Sequence, residues 1–270
     1  MDSSRPDRPA AIGHVRLALA FGCALAFIAV ILTGTELAPG GAGDAAAVSA
    51  RLSPLGGRTA PARASTSGLP GGRGAIIAIL RRPTTMRTSP DGRRLAAVSL
   101  QTSFGSPTVL LVRRLRPGWL GVVSVLAGNH RLGWIAADSA SLARVPYQID
   151  VSLQARRLTV LRDGQTVRRY TVAVGMPSAP TPTGTFAVTD RLLTHDPAGP
   201  YGCCILALSA VAPHAIQGWT GGNRIAIHST PETSSIGHAV SHGCVRLTLP
   251  EGRWLLAHIP LGTPVVISSA

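Results

Sequence analysis

From residue 75 onward the apolar residues of this chain arrive in short runs, and Pro, Gly, Asp or Asn closes off each run. Runs of that length suit strands, because a globular helix needs roughly ten or more residues to present an apolar stripe. Ile76 to Leu80, Thr108 to Val112, Trp119 to Val125 and Gly133 to Ala136 predict a small antiparallel β unit, with Trp119 and Trp134 as core or cleft-lining residues. A second unit begins near Val145. There "QIDVSL" and "RLTVL" read as strands, and Asp163-Gly164 after them predicts a tight hairpin, since a type I′ turn needs positive φ at both central residues. The two-residue period then puts Leu158, Val160, Val172 and Val174 on one face. Thr185 to Thr189, "CILALS", "RIAIHS" and "PVVIS" supply further strands. Thr248-Leu249-Pro250-Glu251 departs from this scheme. It matches a capping box with Pro in the first turn, and predicts a short helix to about His258 that buries Leu255 and Ile259. With 30 Gly and 21 Pro to make the turns, the chain reads as mainly β with one short helix.

One run is too long for a strand. Leu17 to Thr35 carries no charge and extends for about 19 residues, near the length that crosses a bilayer. Arg5, Arg8 and Arg16 precede it and Glu36 closes it, so residues 1–16 are expected on the cytoplasmic side. The expectation is a single-pass transmembrane signal anchor over 17–35. A cleavable signal peptide, processed near Ala45 to Ala50, is the alternative. A buried soluble helix fits poorly, because the run is apolar on every face. Cys23 lies inside it and reads as a membrane-embedded thiol. Residues 36–74, rich in Ala, Gly, Ser, Pro and Arg, bury too little to offset their ordering entropy and read as a flexible linker. The remainder is then expected outside the cytoplasm, attached to the cell membrane, where disulfides can form. All 26 basic residues are Arg, against 12 acidic ones, for a net charge of +14. A surface of that sign is drawn to polyanions such as anionic cell-wall polymers. The arginines are scattered and no nucleic-acid module accompanies them, so nucleic acid is not expected as a partner.

Three cysteines fall in the exported part. Cys203 and Cys204 are neighbours and could join only through a strained vicinal bond, which leaves Cys244 as the odd thiol. Cys244 stands in "SHGCVRL", Ser241 to Leu247. A thiol attacks as its thiolate, and an imidazole within reach supplies that form. His242 shares a face with Cys244 if the segment is extended. His228 ends "RIAIH", and the loop "STPETSSIGHAV" could bring the chain back beside it. Gly243 lets a substrate approach the backbone. Its N–H and that of Cys244 could receive the oxygen of a tetrahedral intermediate, one such donor being worth about 3 kcal/mol of barrier. Ser241 and His242, as neighbours on extended chain, point apart and form no serine dyad. These residue types leave three readings open: an activated nucleophile, a zinc site completed by Cys203 or Cys204, and an inert buried thiol.

"IAIHSTPETSSIGHAVSHGCVRL" resembles the signature of the YkuD-type L,D-transpeptidase catalytic domain: an early His, then Ser or Thr before His-Gly-Cys, an apolar residue and Asn or Arg. "TPTGTF", Thr181 to Phe186, resembles a second landmark, and the likeness covers roughly residues 145–270. "GWLGVVSV" and "RLGWIAAD" resemble a bacterial SH3-like domain, taken as 75–143. The first resemblance implies a β-sandwich-like catalytic fold and a cysteine acyltransferase acting on peptidoglycan stem peptides, with no metal and no organic cofactor. It makes Cys244 the nucleophile and His228 the general base, oriented by the backbone near Ser229. His242, Gly243 and Ser241 shape the substrate site and oxyanion hole, Arg246 takes the Asn-or-Arg position, and Tyr201 is the candidate aromatic lid. The implied reaction passes through a Cys244 thioester to a 3-3 cross-link. An L,D-carboxypeptidase using water, and a non-catalytic wall-binding protein, are the alternatives.

Overall fold

The computed structural model describes residues 73–213 and 223–270. The anchor expected at 17–35, with Cys23, and nearly all of the linker lie outside the described residues. Among those described, no helix is long and apolar enough to cross a membrane.

Seven strands form the first sheet: β1 (Ala75–Leu80), β2 (Thr84–Arg87), β3 (Arg94–Val98), β4 (Val109–Arg116), β5 (Trp119–Val123), β6 (Gly133–Ala136) and β7 (Ala140–Val145). They pair antiparallel in the order β3-β2-β6-β5-β4-β1-β7. The four apolar runs of the sequence become β1, β4, β5 and β6, while β2, β3 and β7 were not among them. Ala78, Leu80, Met86, Leu110, Val112, Leu120, Val122 and Ile135 pack into this sheet's own core. Trp134 is half-buried and lies over Gly121, where a Cβ would meet the indole at 3.2 Å. The strand order does not of itself show an SH3-like barrel, and β7 runs past the boundary expected at 143.

The second unit follows with β8 (Tyr147–Ser152), β9 (Arg157–Arg162), β10 (Gln165–Thr171), β11 (Val174–Gly175), β12 (Gly184–Leu193), β13 (Cys204–Val211), β14 (Arg224–Ser229), β15 (Ala239–Ser241), β16 (Val245–Leu247), α1 (Leu249–His258) and β17 (Pro264–Ser268). Eight of these form one sheet, in the order β10-β9-β8-β17-β12-β13-β14-β16, and β11 pairs with β15 beside it. The β9–β10 hairpin turns on Asp163 and Gly164, at φ 52° and 84°, as the sequence predicts. Leu158, Val160, Val172 and Val174 enter one core with Ile149, Phe186 and Leu208. Each such side chain contributes about 1.5–3 kcal/mol by leaving water. Helix α1 starts where expected. The Thr248 N–H donates to the Glu251 carboxylate at 2.8 Å, and Leu255 and Ile259 are buried beneath the helix.

Contacts that tie the sheets together include the following two. Gly262, at φ 80°, packs where a Cβ would sit 2.7 Å from Ile77 and 2.8 Å from Val109. The Asn129 side chain acts as a substitute strand: its amide donates to the Val211 carbonyl at 2.7 Å, and its oxygen accepts the Val211 N–H at 3.0 Å. This satisfies β13 at the place where its register with β14 shifts.

Candidate active site

Strands β14 and β16 run parallel, with Ile227 opposite Val245, His228 opposite Arg246 and Ser229 opposite Leu247. Cys244 is the residue just before β16, so the register brings it opposite Ala226, two residues before His228 on β14. Both strands are rich in β-branched and aliphatic residues, and Ile225, Ile227, Val245 and Leu247 are buried in the core. The polar side chains of the motif are therefore held on a rigid, dry frame.

His228 is 3% exposed. Its Nδ1 lies 2.8 Å from the Ser229 carbonyl oxygen. A carbonyl only accepts, so Nδ1 carries the hydrogen and the lone pair of the neutral ring is left on Nε2. Burial pushes the imidazole down to about 4, with the positive charge of Arg246 adding to the drop and the hydrogen bond to Ser229 opposing it. At neutral pH the ring is therefore uncharged, in the form that takes up a proton.

Cys244 is an unpaired, partly exposed cysteine. Burial of its sulfur raises the thiol above its usual range, while a hydrogen bond with the Ala226 backbone and the charge of Arg246 pull it down. The resting group is thus a thiol. An already ionised thiolate, the form a nearby imidazole is expected to supply, is outweighed here by desolvation.

Tyr201 comes from the hairpin loop between β12 and β13. Its ring meets that of His228 edge to face, with centroids 4.9 Å apart. Burial lifts its phenol to about 12, with a charge on Cys244 adding to the rise and Arg246 opposing it. Arg246 is the cation common to Tyr201, His228 and Cys244. Its Nη1 reaches Glu232 at 3.4 Å, and its buried Nε has no hydrogen-bond partner among the described residues. Nothing in the sequence marked Glu232.

The turn before Cys244 departs from expectation in two ways. Residues 242 and 243 bend instead of extending, and His242 is exposed. The shared face inferred from a two-residue period is lost, because Gly243 adopts φ 111°. The Gly243 N–H also donates to Ser241 Oγ at 3.1 Å and so does not serve as an oxyanion donor in this geometry. Ser241, fully buried, closes the turn by donating to the Cys244 carbonyl at 2.5 Å. Only glycine fits at 243. A Cβ there would meet Ile225 at 2.9 Å and approach the carbonyls of Pro180 and Ala179. The two residues just before "TPTGTF" thus line the turn, and Thr181 Oγ accepts the Gly175 N–H at 2.8 Å, bracing β11 and through it β15.

Cys203 and Cys204 form a vicinal disulfide on the inner side of Ser229. Among the described residues, no group of three His, Cys, Asp or Glu side chains is placed to share a metal ion.

The family model that matches is YkuD, the L,D-transpeptidase catalytic domain, over residues 146–267. The YkuD protein of Bacillus subtilis (strain 168) is 35% identical over 124 residues, which are 46% of this chain and 67% of that protein. L,D-transpeptidase 1 of Mycobacterium tuberculosis (strain H37Rv) is 30% identical over 127 residues, covering 43% of this chain and 48% of that protein. The solved structure of an L,D-transpeptidase from Mycobacterium smegmatis matches 73% of this chain and 95% of its own, at 19% identity and a TM-score of 0.37.

Proposed function

The chain belongs to the YkuD family of L,D-transpeptidase catalytic domains, and on that premise we propose that it is a cysteine acyltransferase that cross-links peptidoglycan stem peptides. The observation that carries this reading is the His228–Ser229 contact, which leaves the Nε2 lone pair of a buried neutral imidazole for the thiol that immediately precedes the adjoining strand.

Cys244 attacks the carbonyl of the third residue of a donor stem, and its proton passes to His228 Nε2. The thiol is raised and the imidazole lowered, so this proton does not move in the resting site. It moves as the sulfur–carbon bond forms, because donating a lone pair to the carbonyl carbon leaves positive charge on the sulfur and makes its hydrogen acidic. The Cys244 N–H is the donor for the developing oxyanion, since that of Gly243 is engaged by Ser241. His228 then protonates the departing terminal residue, leaving a thioester. The side-chain amine of a second stem attacks the thioester, gives its proton to His228, and releases a 3-3 cross-link. Tyr201 covers the imidazole and keeps water from it. Arg246, cationic and with a buried Nε–H to offer, favours a donor stem bearing a carboxylate. His242 stands at the rim, where only the outer part of a stem reaches it.

The reaction takes place outside the cytoplasm, with residues 17–35 holding the enzyme to the membrane and its positive charge favouring anionic wall polymers. A carbapenem tests the central step. Intact-mass measurement is expected to show one adduct on the wild type and none on Cys244→Ala. No adduct on the wild type, or an equal one on the variant, would sink the acyl-enzyme. Purified muropeptides then separate transfer from hydrolysis. Dimers joined 3-3 support transpeptidation, and shortened monomers alone would make the protein a carboxypeptidase.

A further inference from the structure

We propose that the disulfide between Cys203 and Cys204 positions His228 through Ser229, so that opening it with a dithiol slows acylation of Cys244. The inference rests on the transpeptidase reading above and adds a redox dependence to it.

Ser229 links the two groups. Its carbonyl holds His228 Nδ1 at 2.8 Å. Its hydroxyl accepts the Cys204 N–H at 3.1 Å and lies 3.4 Å from Cys203 Sγ, with the Tyr201 and Cys204 carbonyls also at 3.4 Å. The residue has no room to shift. A Cβ on Gly202 would meet Ser229 Oγ at 2.7 Å, and one on Gly252 would meet Ser229 Cβ at 2.8 Å. The segment that carries the disulfide also carries Tyr201, whose ring packs on the imidazole, and Thr194 donates to the Gly202 carbonyl to close the loop. Residues 201–204 therefore hold the base from two sides.

Joining adjacent cysteines closes a small ring around one peptide bond and fixes the backbone there. Reduction changes both shape and hydrogen bonding. The dithiol gives two electrons and two protons, the S–S bond breaks into two thiols, and the reductant closes into its own cyclic disulfide. The Cys203 sulfur lies 3.7 Å from the Leu249 carbonyl. A disulfide sulfur has no hydrogen to give that oxygen, but a thiol does. A thiol can also donate to Ser229 Oγ and compete there with the Cys204 N–H. Either change releases Ser229 from its present contacts and allows its carbonyl to leave Nδ1.

The test uses the full chain, before and after reduction by a dithiol that is then removed without air. Alkylation and mass spectrometry count the thiols, and peptide mapping restricts the reading to adducts on Cys244. Reduction is expected to slow carbapenem acylation by about tenfold to a hundredfold, the cost of misplacing a catalytic group. In protein labelled with nitrogen-15 at histidine, the hydrogen-bonded Nδ1–H signal, assigned by its absence from His228→Gln, is expected to shift or broaden. The double variant Cys203→Ala/Cys204→Ala is expected to be slow and indifferent to the dithiol. Should the double variant fail to fold, the reduced wild type still decides the matter. Unchanged rate and signal after reduction would overturn the proposal, as would free thiols at 203 and 204 in the air-oxidised protein, or equal slowing of the double variant by the dithiol. If the oxidised wild type takes no carbapenem at all, it is the transpeptidase reading that fails, and the Nδ1–H signal still reports on positioning.

Discussion

At one end of β14, Arg224 meets a carboxylate. At the other, His228 meets only neutral groups and a second cation. Asp190 is fully buried, yet its oxygens have the Thr102 hydroxyl and the Arg224 guanidinium 3.6 Å away, and Arg224 also donates to Thr189. Burial lowers Arg224, and the neighbouring Asp190 raises it again. His228 has no such counter-charge and stays neutral. The same strand therefore holds one polar group in an ion pair with another strand of its own sheet and buries another as a reactive base. Partners set the difference, since both groups are taken out of water.

Removing the base is the most severe way to test that contrast. His228→Gln is expected to slow carbapenem acylation by about 10²–10⁴-fold, the usual worth of a positioned general base, with little change in melting temperature. A large loss of stability with acylation intact would make His228 a structural residue like Arg224. The converse change is Asp190→Ala. It strands a buried guanidinium, and the expected cost is about 3–5 kcal/mol in denaturant unfolding. Replacing Asp190 and Arg224 together by apolar residues of similar size is expected to recover much of that loss. A single variant as stable as wild type would mean that the pair is no lock.

Acid titration probes the His228 end with less force. Its folded pKa of about 4 lies below the unfolded value of about 6.5, so the unfolded chain binds the extra proton between these limits. Stability from this group is then fully present above about pH 6.5 and is lost as pH falls toward 4, by about 3 kcal/mol in all. Unfolding curves of wild type and His228→Gln should diverge over that window. The acid limb of the acylation rate should likewise fall near pH 4. A limb at the ordinary imidazole value would show that burial does not govern this ring.

The sequence made one side of this contrast legible and hid the other. The Asp163-Gly164 hairpin and the Thr248 capping box are local patterns, and each is found where its residues imply. Asp190 and Thr102 are 88 positions apart, and Asn129 and Val211 are 82 apart, so no short-range pattern announces either contact. His242 was misplaced for a different reason. The two-residue period applies to extended chain, and Gly243 ends the extension one residue too early. Cys203 and Cys204 were visible as a pair, but their position against Ser229 depends on β13 pairing with β14.

The gentlest probe is Glu232, the acidic residue at the reactive end of β14. It touches Arg246 at 3.4 Å, as Asp190 touches Arg224 at 3.6 Å, but its side chain is 64% exposed where that of Asp190 is fully buried. Water already solvates this carboxylate, so Glu232→Gln is expected to change stability by less than about 1 kcal/mol. Its effect should appear in chemistry. Without the carboxylate, the Arg246 cation is less neutralised, and that cation already pulls the Cys244 thiol downward. The pH profile of alkylation at Cys244 should therefore move slightly toward acid. A destabilisation as large as that of Asp190→Ala, with no movement of the thiol, would show that both ends of β14 carry locks and that the contrast between them is false.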